Sequence, residues 1–177
     1  MIAYLLVLIA MVSHVAPHPW IGFTAIGGSL LYFGARRSLA QAIVPVALLA
    51  FSDYYLTVHF YNYPFHASFY LLTWAWYAGA IVLGRVLLRE RTTVGRTASA
   101  VLLSSTSFFL LSNFAAWVPP GLYPHTFSGL MTCYAAGLPF YRNDLLSTAL
   151  VAGLVFGLPL AFKKADESAE ATGVRPA

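Results

Sequence analysis

Few residues in this chain can do chemistry. Asp53 in "AFSDYYLTVHF", Asn113 in "LLSNFAAW", and Arg142 with Asp144 in "YRNDLL" stand in otherwise apolar surroundings. A carboxylate accepts hydrogen bonds and pairs with cations, and a carboxamide both accepts and donates. Arg142 offers a planar fork suited to a carboxylate or phosphate. The histidines are His14, His18, His59, His66 and His125. His14 and His18 have the i, i+4 spacing of two metal ligands on one helical face, but Pro17 between them disfavours helix at Ala16. Hydrated histidines in turns are the plainer reading, and no metal or other cofactor is expected. The single Cys133 rules out an internal disulfide and a cysteine metal site. The chain lacks a nucleotide-binding glycine loop, a GxSxG elbow and an HExxH helix. Any energised activity must therefore borrow a motor or use an ion gradient.

The elements that carry these residues are expected to cross a membrane. Only 9% of the residues are charged and 59% are hydrophobic, whereas soluble domains carry about 25% charged residues. A spanning helix needs about 20 apolar residues. Six segments qualify or nearly do: 1–16, 20–35, 39–60, 66–88, 95–117 and 143–162. The first lacks the basic n-region of a cleaved signal and reads as a retained helix. The first two are short and are separated by Pro17 and Pro19, so the turn "HVAPHPW" should lie below the outer surface. Tilt or local thinning of the bilayer would also accommodate them.

Basic residues decide the topology. They cluster at Arg36–Arg37, at Arg85, Arg89, Arg91 and Arg96, and at Lys163–Lys164. With six spans, all three clusters fall on one side, which the positive-inside rule makes the cytoplasm. Both termini are then cytoplasmic. The apolar stretch 126–140 cannot be a seventh span without moving Lys163 and Lys164 outside. It is expected as a short interfacial or re-entrant helix between helices 5 and 6. The expected fold is thus all-α: one polytopic transmembrane domain over 1–162 and a polar, disordered cytoplasmic tail over 163–177. The pI near 9.3 is a topology signal rather than a nucleic-acid footprint, and the expected solvent is membrane lipid.

Within that frame the polar residues share a depth. Asp53 lies roughly 21 Å up helix 3, Asn113 roughly 24 Å up helix 5, and Asp144 roughly 27 Å above the inner end of helix 6. A charged side chain in the bilayer centre costs about 2.5–3.5 kcal/mol on insertion scales, so such residues face the protein interior or a watery cavity. Asp144 has plainer readings too: it could complement the helix dipole from the first turn or pair with Arg142. All five histidines fall in outer turns or outer helix ends. Aromatics crowd the same end, among them Trp74, Tyr77, Trp117, Tyr123 and Tyr134. An interfacial belt explains some of these, but the inner ends "GARRSLA" and "RVLLRERTTVGR" have none, which points to a pocket or lid. The candidate solute-binding set is Asp53, Asn113, Trp117, His125, Tyr134, Arg142 and Asp144. Helix 5, "TASAVLLSSTSFFLLSNF", is rich in small residues, and its Ser104, Ser105 and Ser107 read as close-packing positions.

The segments "PHPWIGFTAIGGSLLYFGARR" and "SNFAAWVPPGLYPHTFSGLMTCYAAGLPFYRNDLL", with Ser52-Asp53, carry a resemblance over roughly residues 14–160. The chain resembles a bacterial family of uncharacterised six-helix membrane proteins described as candidate transport proteins. It is similar in size and layout to S components of energy-coupling factor transporters. The family's frequent proline after the threonine of the first turn is Ala25 here. The resemblance implies a subunit of the bacterial cytoplasmic membrane that binds a small solute from outside and docks on a transmembrane coupling subunit with two ATPases. The residues themselves leave two other classes open: a non-transporting accessory subunit of a larger membrane complex, and an intramembrane enzyme using Asp53, Asp144 and histidines.

Overall fold

A computed structural model describes residues 1–16 and 22–162. His18, most of the "HVAPHPW" turn, Lys163–Lys164 and the tail therefore lie outside the described residues. The described chain is all-helical. We number its six helices α1 (Ile2–Val15), α2 (Ile26–Arg36), α3 (Leu39–Phe60), α4 (Leu71–Leu88), α5 (Val94–Trp117) and α6 (Phe127–Phe162). Helices α3, α4, α5 and α6 are long and apolar enough to cross a membrane, while α1 is apolar but shorter. Large apolar side chains such as Phe51, Val86, Leu102 and Leu150 point outward. An apolar exterior of that extent suits a lipid surround better than water.

The expected boundaries of helices 1, 3 and 5 hold to within a residue. Two others change. The segment 20–35 contains an 11-residue helix, because Gly22–Ala25 are non-helical and Gly22 has φ 78°. The stretch 126–140 is not a separate interfacial or re-entrant helix. It forms the first half of α6, which begins at the Thr126 cap, where the side chain accepts from Gly129 N. Pro139 sits inside this helix. Its missing N–H and its ring disfavour an interior position in water, but helices packed among others tolerate it. Absorbing the stretch into α6 keeps the helix count at six. The run of 36 residues reaches roughly 54 Å.

Short α2 lies at the centre. Nine of its residues are buried, including Leu30, Leu31 and Phe33, and it packs against α1, α4 and α6. Its contact with α4 is backbone against backbone. A Cβ on Gly34 would strike the Ile81 carbonyl, and one on Gly84 would strike the Leu31 carbonyl. Around this seam Leu30, Phe33, Ile81, Leu49 and Val7 form one apolar core, and Leu31, Leu88, Val101 and Phe156 a second.

The two ends of the bundle differ chemically. At one end Arg85 Nη1 donates to the Arg37 carbonyl at 3.4 Å, and the Arg37 guanidinium lies 4.8 Å from the Tyr4 ring centroid. At the other end the connections after α1, α3 and α5 carry the aromatic and histidine side chains.

Candidate functional site

A cavity of about 720 Å³ opens among the helices, and its lining extends to Ala16, Gly22, Tyr61 and Tyr123. These residues belong to the connections after α1, α3 and α5, so the cavity opens away from the arginine end. Residues Ala16 and Gly22 flank the turn expected to be recessed. The volume falls in the usual range of small-molecule sites, roughly 300–1,000 Å³.

Asp53 enters from α3 just before the helix widens into a π-helical turn over Leu56–Phe60, a local irregularity often found at functional sites. The carboxylate is 6% exposed and well supplied with donors. Trp74 Nε1 donates to Oδ2 at 3.0 Å, and Tyr77 Oη lies 3.3 Å from Oδ2 and 3.4 Å from Oδ1. His14 Nε2 stands 3.8 Å from Oδ1. The Ser52 hydroxyl donates to the Leu49 carbonyl at 2.7 Å, so its oxygen is free to accept from His14 Nδ1 at 3.0 Å. With Nδ1 carrying that proton, Nε2 presents either a lone pair or a second proton towards Asp53. A relay of small contacts fixes the helix behind it: Thr57 Oγ1 donates to the Asp53 carbonyl at 2.7 Å and meets Tyr70 Oη at 2.6 Å.

Asp144 enters from α6. It too is 6% exposed, yet Oδ2 has no hydrogen-bond partner among the described residues. Ser105 of α5 lies beside it without completing a hydrogen bond, and the Ser105 hydroxyl is likewise buried and unpartnered. Asn113 of α5 lines the same cavity, with Nδ2 donating to the Phe109 carbonyl at 2.8 Å. Its carboxamide packs on Gly137, where any Cβ would collide with it. Cys133 donates to the Asn113 carbonyl at 3.3 Å.

Asp53, Asn113 and Asp144 are thus brought together from three helices. The other expected members are not. Arg142 is exposed and does not line the cavity. Residues two apart on a helix do not share a face, so a continuous α6 turns Arg142 outward as Asp144 turns inward. Among the described residues no ion pair joins them. Nor does Asp144 lie in a first turn, because α6 starts at Phe127. Trp117 Nε1 donates to the Pro124 carbonyl at 3.0 Å, and its ring lies 5.2 Å from His125; the pair ties the α5–α6 connection. Tyr134 donates to the Leu110 carbonyl at 3.0 Å and packs on Phe109. Of the suggested metal pair, His18 lies outside the described residues and His14 serves Ser52 and Asp53. Among the described residues no three His, Cys, Asp or Glu side chains come close enough to hold a metal ion.

Sequence reading missed the roles of His14, Trp74 and Tyr77 as neighbours of Asp53. Their signal was present in the crowding of aromatics and histidines at one end. Ser105, read as a packing residue, carried no signal that it would face Asp144.

These features define a helical protein with membrane-length apolar helices around a cavity walled by two acids and an amide. The chain belongs to the Family of unknown function (DUF6580), whose sequence model matches residues 1–169. No curated protein and no solved structure matches it.

Proposed function

We propose that this is a multi-pass protein of the bacterial cytoplasmic membrane that captures a small solute from the outer side, as an S-component-like subunit of a transport system. The carrying observation is the cavity of about 720 Å³ whose walls include Asp53, Asn113 and Asp144. Isolated acids in apolar helices are costly, and those that persist mark solute or ion pathways. In this reading six helices cross or enter the membrane with both termini in the cytoplasm. The arginines at the end opposite the cavity mouth support that orientation through the positive-inside rule.

A coupling subunit with ATPases would supply energy, since the chain has no ATP-binding motif of its own. An open groove lined by Ala98, Val101, Ala149, Gly153 and Gly157 offers close approach to a neighbouring helix. The same groove favours the second reading, an accessory subunit in a larger membrane complex.

Two measurements test the proposal. Native mass spectrometry of the purified protein should show a bound small molecule that is lost in the Asp53→Asn, Asp144→Asn double variant. A folded double variant that retains it would end the capture reading. Membrane-impermeant thiol labelling in cells should reach a cysteine placed at Asn62 or Tyr123 and miss one at Thr92. Labelling at Thr92 from outside would reverse the orientation.

A further inference from the structure

From the lining of this cavity we infer that the captured solute is an organic cation, with its charged nitrogen held at Asp144 and its apolar body against the aromatic wall. This inference rests on the solute-capture reading and specifies the substrate class for the same site.

The two acids are not equivalent. Asp53 already faces the Trp74 and Tyr77 donors and has His14 at 3.8 Å. Asp144 lines the cavity, and its buried Oδ2, with only Ser105 beside it, has no hydrogen-bond partner among the described residues. Leaving a buried polar atom unpaired costs free energy, and a ligand that brings N–H donors and positive charge removes that cost. The lining contains no lysine or arginine among the described residues. Arg142, the one cation expected near the site, is exposed on the other side of α6. An anionic ligand would therefore meet two carboxyl groups and, as a possible counter-charge, only His14.

The remainder of the wall fits an organic body rather than a bare ion. Trp76, Tyr77, Phe108, Phe109 and Tyr141 line the space. Trp76 and Phe108 lie 4.6 Å apart by ring centroids, and Phe109 and Tyr141 lie 4.9 Å apart. Aromatic faces stabilise a cation nearby as well as apolar surface. A small metal ion would need several hard or nitrogen ligands at close range, which the described residues do not assemble.

The test uses full-length protein in lipid nanodiscs. Ala116 lines the cavity and is exposed, so Ala116→Cys in a Cys133→Ser background gives a labelling site at the mouth. The probes are isosteric triplets on phenyl, indolyl and naphthyl bodies, each as an ethylamine, an ethanol and an acetate. Maleimide labelling should slow with the amines by about tenfold or more relative to the neutral and anionic members, as expected for losing a charge-assisted hydrogen bond. That protection should vanish in Asp144→Asn and persist in part in Asp144→Glu. The contrast among probes is read on protein with Asp144 intact, so the result does not depend on either variant folding. Equal or better protection by an alcohol or acetate overturns the cation inference and leaves solute capture standing. No protection by any probe overturns the cation inference, while a bound small molecule in native mass spectrometry would still keep solute capture standing.

Discussion

The seam between α2 and α4 and the cavity between α3, α5 and α6 sit side by side and obey opposite rules. At the seam two glycines let backbone touch backbone, and the neighbouring side chains are apolar and buried. In the cavity α3, α5 and α6 are held apart, and buried polar atoms are left partly unserved. One region is filled to the point where a methyl group does not fit. The other keeps space and an unpartnered carboxyl oxygen at a cost in stability. Folding alone accounts for the first region but not for the second.

That contrast can be broken by substitution. The largest effect is expected at the seam. Gly84→Val should lower stability by about 3 kcal/mol or more, because the added carbons meet the Leu31 carbonyl rather than a movable side chain. Thermal unfolding in detergent should show a large fall in Tm or no folded protein. An unchanged Tm would mean that the helices part easily and that the seam is not rigid.

The next effect is at Asp53. Asp53→Ala strands the Trp74 and Tyr77 donors and should cost about 1–3 kcal/mol. Asp53→Asn keeps an acceptor oxygen and should cost clearly less. If the two variants unfold at the same temperature, the hydrogen bonds to Asp53 do not support the fold.

The smallest effects are expected at the tip of the opening contrast. Asp144→Asn in solute-free protein should stay within about 0.5 kcal/mol of the parent or gain stability, since no partner is lost. Arg142→Gln, on the exposed face, should also stay within about 0.5 kcal/mol. A double-mutant cycle should give no coupling between them. Strong coupling would restore the Arg142–Asp144 pair that the helix geometry separates.

Much of the fold was legible because long apolar helices advertise themselves by length and hydropathy. Spans 1–16, 39–60 and 95–117 match α1, α3 and α5 for that reason. The error at 126–140 came from treating it as separate from 143–162, with Arg142 and Asp144 at the start of the next helix, and from Lys163 and Lys164, which a seventh span would have moved outside. A helix packed against neighbours can run through both polar residues, and hydropathy cannot sense that packing. At 20–35 the apolar pattern was real but said nothing of the non-helical Gly22–Ala25. For the site, the matched depth of Asp53, Asn113 and Asp144 foretold their convergence. The outward turn of Arg142 followed only once α6 was continuous, since helical phase, not proximity in sequence, decides which residues share a face.

The glycine seam has one further consequence. Gly34 covers the carbonyl of Ile81, three residues before Gly84, and Gly84 covers the carbonyl of Leu31, three residues before Gly34. The two contacts are therefore related by a local two-fold axis running between the helices. Each helix is lock to one contact and key to the other. Sliding α4 along α2 by a single residue would misalign both at once and drive a side chain into each carbonyl. Register along this pair is all-or-none, which lets an eleven-residue helix with no polar cap hold one position at the centre of the bundle.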